Sequence, residues 1–291
     1  MADIAMDITR LGVVGCGLMG SGIAEVLARA DLDVIVGEVS AEAAEAGRVR
    51  IAESLDRGVR RGKLTAEARD SALARLRFTH DLGDFADRQL VIEAVAERPE
   101  TKRAIFAALD RALDDPDAII ATNTSSIPVI DLAASISRPE RVVGMHFFNP
   151  VPVQRLVELI PTQLTSSDVA ATVAGFATET LGKTVVRARD RSGFVVNALL
   201  IPYLVSAVRM LESGFASAED IDNGMVLGCA HPMGPLRLLD LIGLDTAESI
   251  AESMFEEFKE PLYAPPPLLR RMVAAGLLGR KTGRGFYSYE A

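Results

Sequence analysis

The feature that most restricts the fold is the six-residue stretch Gly15-Cys16-Gly17-Leu18-Met19-Gly20, set between two patterns of different period. Before it, RLGVVG (10–15) is a short apolar run of strand type. After it, residues 18–30 repeat their apolar positions as a helix does, and DVIVGE (33–38) is a second strand ending in an acid. Spacing of the form G-x-G-x-x-G at a strand-to-helix junction has a physical reading. The first glycine permits a tight turn, the second lets a pyrophosphate come close to the backbone, and the third lets the helix pack on the strand. The phosphates would sit over the helix start at Leu18 and Met19, where unpaired N–H groups and the helix dipole favour negative charge. Glu38, 18 residues beyond Gly20, is placed to accept hydrogen bonds from the adenosine ribose hydroxyls, and its charge would repel a 2′-phosphate. This predicts NAD as cofactor. The plainer reading, a glycine-rich turn and a solvated glutamate, leaves the coincidence of loop, helix and acid unexplained.

The alternation continues. A helical region runs from Ala41 to about Arg77, broken near Gly62 and restarted at Thr65 as an N-cap. QLVIEAV (89–95), AIIATN (118–123) and VVGMHFF (142–148) read as further strands, with a helix between the first two. Strands separated by helices imply parallel βαβ units with right-handed crossovers. The expected fold is therefore a Rossmann-like, doubly wound, mainly parallel α/β sheet over residues 1–190. From about Ser192 the pattern is helical throughout, which predicts a second, all-helical domain over 191–291.

Bulk properties exclude several classes. A net charge of −9 argues against a nucleic-acid partner. Two cysteines, Cys16 and Cys229, supply no disulfide framework and suit a cytoplasmic protein. The N-terminus lacks a basic segment followed by an apolar run, and GFVVNALLIPYLVSAV (193–208) is too short and too interrupted to span a membrane. No Cys/His spacing suggests a metal site.

The chemistry-bearing residues fall at the ends of strands, where open α/β sheets bind ligands. Glu97 and Lys102 follow one strand, Asn123 and Ser125 another, His146 and Asn149 a third. Each has an ordinary alternative: Ser125 as a helix cap, Glu97 and Lys102 as a helix-start acid and a surface lysine. His146 is one of only three histidines, and Glu158 lies twelve residues on, inside the apolar run LVELI. A carboxylate there needs a partner or exposure. A histidine whose ring donates to such a glutamate is a poised general base.

Taken together, Gly15-x-Gly17-x-x-Gly20, Glu97-x-x-x-x-Lys102, the block Asn123-Thr124-Ser125-Ser126, HFFNPVPVQRLVELI and GRKTGRGFY (279–287) resemble the L-3-hydroxyacyl-CoA dehydrogenases, most of all the bacterial 3-hydroxybutyryl-CoA type. The resemblance covers almost the whole chain. It implies hydride transfer between NAD and C3 of an L-3-hydroxyacyl-CoA, in fatty-acid metabolism of the β-oxidation kind, by a homodimer joined through its helical domain. It assigns His146 as acid/base, Glu158 as its orienting partner, and Ser125 and Asn197 as holders of the substrate oxygens. Glu97, Lys102, Asn123 and Asn149 are implied on the nicotinamide side. The positions matching the family's CoA contacts are Ser54 and Arg61. They lie in a basic stretch with Arg57, Arg60 and Lys63 that is read as binding the CoA phosphates, with a solvated helix face as the ordinary alternative. One departure is Glu38, where the family often has Asp. Two other readings stand beside this one: a lysine-type β-hydroxyacid dehydrogenase, against which the His146/Glu158 pair weighs, and a dinucleotide-binding protein without turnover.

Overall fold

The computed structural model describes residues 7–289, and its chain separates into two units, Met1–Arg191 and Ser192–Ala291. The first is built on one eight-stranded sheet in the order β3-β2-β1-β4-β5-β6-β7-β8. Its strands are β1 (Arg10–Val14), β2 (Asp33–Gly37), β3 (Leu76–Thr79), β4 (Leu90–Glu93), β5 (Ile119–Thr122), β6 (Val142–Phe147), β7 (Leu156–Pro161) and β8 (Thr184–Arg187). Helices α1 (Leu18–Arg29), α2 (Ala41–Arg60), α3 (Ala66–Ala74), α4 (Pro99–Ala112), α5 (Val129–Ala133) and α6 (Ser167–Gly175) connect them. Pairing is parallel from β3 across to β6. The direction of chain progress reverses between β1 and β4, and that switch point places the glycine loop at the carboxyl edge of the sheet, where ligands bind.

The central strands are apolar without alternation because helices cover both faces; β4, β5 and β6 are buried at every position. The core gathers Leu11, Val13, Ile23, Leu27, Val34, Ile92, Ala121, Met145 and Leu159. Three strands depart from the sequence expectation. Leu76–Thr79, the end of the expected long helix, is the edge strand β3, half-exposed and only four residues long. At the other edge β8 is equally short and half-exposed. Between them, β7 pairs antiparallel with β6 and parallel with β8. The helix before β3 does break and restart where expected, with the Thr65 hydroxyl capping α3 by accepting from the Ala68 N–H.

The second unit is helical: α7 (Val196–Glu212), α8 (Ala218–Cys229), α9 (Pro235–Ile242), α10 (Leu244–Phe258) and α11 (Pro267–Ala274). Ile201, Leu204, Val208, Leu236, Leu239, Leu244 and Met254 form its core. The C-terminal block GRKTGRGFY folds back over α9. Buried Asp240 accepts hydrogen bonds from the N–H groups of Phe286 and Tyr287 at 2.9 and 3.0 Å. A Cβ at Gly285 would come within 1.9 Å of the Asp240 carboxylate, so only glycine fits. Among the described residues, no helix is long and apolar enough to cross a membrane.

Candidate active site

The glycine loop has the geometry its spacing predicts. Gly15 carries φ +90°, a left-handed turn open to glycine, and a Cβ at Gly20 would lie 1.8 Å from the Gly15 carbonyl. A Cβ at Gly17 would meet nothing within 4 Å, which leaves room above the backbone. Helix α1 begins there without a side-chain cap and without an acid in its first turn. These residues therefore fit a dinucleotide pyrophosphate. Glu38 braces the loop: its carboxylate accepts from the N–H of Cys16 and, at 3.1 Å, from that of Val39. Arg50, on α2, donates to the Cys16 carbonyl at 2.7 Å. The Cys16 side chain is enclosed, and burial, with the Glu38 charge adding, pushes its thiol up to about 12, against the pull of Arg50.

His146 and Glu158 meet because of strand register. The antiparallel pairing of β6 with β7 sets His146 directly opposite Glu158, and opposite residues share a face of the sheet. An eight-residue connection, 148–155, accounts for their spacing. His146 Nδ1 lies 2.8 Å from Glu158 Oε2, and Glu158 has 0% exposure. A carboxylate can only accept, so Nδ1 carries the proton and Nε2 is the basic nitrogen. Ser125 Oγ stands 3.0 Å from that Nε2.

Ser125 is held from beneath by Glu97. One carboxylate oxygen of Glu97 accepts from the Thr124 hydroxyl, from the N–H of Ser125 at 2.8 Å, and from the N–H and hydroxyl of Ser126, each at 3.0 Å. Burial works to raise the Glu97 pKa, but the Lys102 charge and these donors outweigh it and hold the carboxyl below its ordinary value. Lys102 is fully buried rather than a surface lysine, its ammonium 3.2 Å from Glu97 and 2.7 Å from Glu93. Asn123 is turned inward as well, its Oδ1 accepting from the Phe147 N–H at 2.8 Å. Asn149 is exposed and lines a cleft with Leu18, Ser21, Arg50, Ser54 and Arg57. Arg61 is not among these residues; it caps the C-terminal end of α2 one turn beyond Arg57. Asn197 belongs to the second unit, buried in the first turn of α7.

Three residues escaped the sequence reading. Glu93, at the end of β4, is buried and accepts from Lys102, from the Thr122 hydroxyl at 2.8 Å and from the Val95 N–H at 2.7 Å. It was visible by the same signal as Glu158, a carboxylate inside an apolar run. Lys183 donates to the carbonyls of Val151 and Gln154 at 2.7 and 2.6 Å, tying down the connection between β6 and β7. Its burial, together with the Arg29 charge, lowers its pKa. Neither Lys183 nor Arg50 carries a local signal, because their partners are backbone carbonyls of distant segments.

Comparison with known proteins agrees along the whole chain. The family model described as 3-hydroxyacyl-CoA dehydrogenase, NAD binding domain, matches residues 10–191, and that of the same family's C-terminal domain matches residues 193–289. A Mycobacterium tuberculosis protein named 3-hydroxybutyryl-CoA dehydrogenase is 61% identical over 282 residues, 97% of this chain and 99% of its own. Among solved structures, M. tuberculosis FadB2 matches with a TM-score of 0.96 at 61% identity, over 97% of this chain and 99% of that one. The (S)-3-hydroxybutyryl-CoA dehydrogenase of Ralstonia eutropha matches with a TM-score of 0.92 at 45% identity, over 98% of this chain and 100% of that one.

Proposed function

Because the chain belongs to the 3-hydroxyacyl-CoA dehydrogenase family, we propose that it interconverts an L-3-hydroxyacyl-CoA and the 3-ketoacyl-CoA, with 3-hydroxybutyryl-CoA as substrate and His146 as the general acid/base. The observation that carries the assignment of His146 is the chain of contacts from Glu158 through the imidazole to Ser125. NAD, when bound, supplies the hydride acceptor at the nicotinamide ring. The glycine loop would hold its pyrophosphate, and Glu38 its adenosine ribose. In the oxidation direction His146 Nε2 takes the proton of the 3-hydroxyl as the C3 hydride departs, and the C3–O bond becomes a carbonyl. Glu158 stabilises the imidazolium so formed. In reduction the same nitrogen returns the proton. Ser125, already within hydrogen-bond distance of Nε2, would hold the substrate oxygen in line with it, and Asn197 is assigned the same task from family resemblance. Ser54, Arg57 and Arg61 are assigned to the CoA nucleotide.

The proposal extends to a cytoplasmic homodimer. Leu199, Phe215 and Leu227 of the helical unit are 75%, 79% and 83% exposed, large apolar side chains that a second copy would cover. Leu204, on the same helix as Leu199, packs instead inside the unit's own core. Sedimentation showing only monomer at micromolar concentration would reject the dimer. The activity is tested by NADH formation from NAD and 3-hydroxybutyryl-CoA. Turnover with the wild type and its near-loss in His146→Gln is the expected result. Absence of turnover by the wild type would return the chain to the non-catalytic reading, and unchanged turnover in the variant would remove His146 from the mechanism.

A further inference from the structure

Beneath the serine that faces His146 lies a row of three charges with no counterpart in the mechanism above. Glu93, Lys102 and Glu97 come from the end of β4, the first turn of α4 and the loop between them. Glu93 and Lys102 have no exposed surface. The Lys102 ammonium donates to both Glu93 oxygens, at 2.7 and 3.0 Å, and lies 3.2 Å from Glu97 Oε2. Its position is therefore set by Glu93, which is itself fixed by the Thr122 hydroxyl and the Val95 N–H. The other Glu97 oxygen, Oε1, gathers the turn 124–126, including the Ser125 N–H at 2.8 Å. Ser125 Oγ is in turn 3.0 Å from His146 Nε2.

Two carboxylates about one ammonium leave one excess negative charge, and enclosing Glu93 and Lys102 away from solvent is costly unless every member of the row is held by hydrogen bonds. Here every member is. Without the Glu93 charge, Lys102 has a single carboxylate partner and is drawn toward it, and the Glu97 oxygen that orders the serine turn is drawn with it. We propose that Glu93 is a positioning residue for the reaction, acting through Lys102 and Glu97 to fix where Ser125 stands against His146. This rests on the reading of His146 as acid/base.

The test is a cycle of four proteins: wild type, Glu93→Gln, Ser125→Ala and the double variant, assayed for kcat, for both KM values and for thermal unfolding. Glu93→Gln is expected to lose about 10- to 100-fold in kcat, the scale of an ångström-sized misplacement of a positioned group. Both KM values should change far less. In the Ser125→Ala background the same substitution should cost little more, because the group it positions is gone. Glu93→Asp, which keeps the charge, should recover part of kcat. Full kcat in Glu93→Gln, or losses that multiply in the double variant, would overturn the proposal and leave Glu93 a purely structural charge. Should Glu93→Gln fail to fold, Thr122→Val, which removes one of its anchors without a charge change, enters the same cycle with the same criterion. A wild type inactive on 3-hydroxyacyl-CoA would refute the underlying reading, whereas an active wild type with an uncoupled Glu93 would refute this inference alone.

Discussion

Glu158→Gln changes one charge and almost no volume at a site closed to solvent. An amide oxygen can still accept from an Nδ1 that carries a proton across the 2.8 Å now spanned to Oε2. On the proposed mechanism the difference arises during turnover, when the ring becomes an imidazolium. Two unit charges about 4 Å apart attract by about 4 kcal/mol at an effective dielectric constant near 20. A hydrogen bond to a charged group is worth about 1.5–3 kcal/mol net, against about 1 kcal/mol for a neutral one. The exchange of one for the other, with the remaining Coulomb attraction, puts the loss near 2–3 kcal/mol. At 1.36 kcal/mol per tenfold, kcat should fall by about 30- to 150-fold. Initial rates of NADH formation measure it, with KM for NAD expected to hold because the glycine loop is a separate structure. His146→Gln should lose more, and adding Glu158→Gln to it should cost little further, since the carboxylate then has no imidazolium to stabilise. The reasoning fails if Glu158→Gln turns over at a near-normal rate with a lowered melting temperature. It fails equally if the two losses multiply.

Glu38→Ala should weaken NAD binding and narrow the preference over NADP, seen as the ratio of kcat/KM values; equal use of both cofactors by the wild type would remove Glu38 from that role. Arg57→Ala should raise KM for the acyl-CoA with little change in kcat, and more than Arg61→Ala does, because Arg57 lines the cleft with Ser54 and Arg61 does not; a larger effect at Arg61 would contradict that order. Cys16, buried and with its thiol raised to about 12, stays protonated at mildly alkaline pH, so an alkylating reagent there should modify the folded protein at exposed Cys229 alone. Mass spectrometry showing labelled Cys16 in the native state would count against it.

What could be read from the residues follows from how each interaction is encoded. The glycine loop was legible because backbone geometry restricts residue type at three fixed spacings, and β1, β2 and β4 because strands buried on both faces read as unbroken apolar runs. His146 and Glu158 were visible as a rare residue and a misplaced acid, but not the antiparallel pairing that joins them, since LVELI carries no mark of strand direction. The short edges β3 and β8 were missed because half-exposed segments such as LRFT and TVVR have neither a continuous apolar run nor a clean alternation. Lys102 was implied on the nicotinamide side by the resemblance, with a surface lysine as the ordinary alternative, since long charged side chains usually lie there. Its burial depends on Glu93 nine residues earlier and Glu97 five residues earlier, a three-body arrangement that no single spacing reveals.

The hairpin of β6 and β7 also bears on how such a chain can change over generations. His146 and Glu158 belong to one local fold-back, so their facing depends on strand parity and not on the length of the connecting arch. Residues can be added to or lost from 148–155 while His146 and Glu158 still stand opposite, provided the pairing of the strands re-forms at the same rungs. A single residue inserted within β7 between Glu158 and Pro161 is different. If the far end of the strand keeps its pairing, the carboxylate moves by one rung and turns to the other side of the sheet. Length drift in the arch is thus tolerated and drift in the strand is not, which makes the hairpin a cassette that can be inherited, or transplanted, with His146 and Glu158 still facing each other.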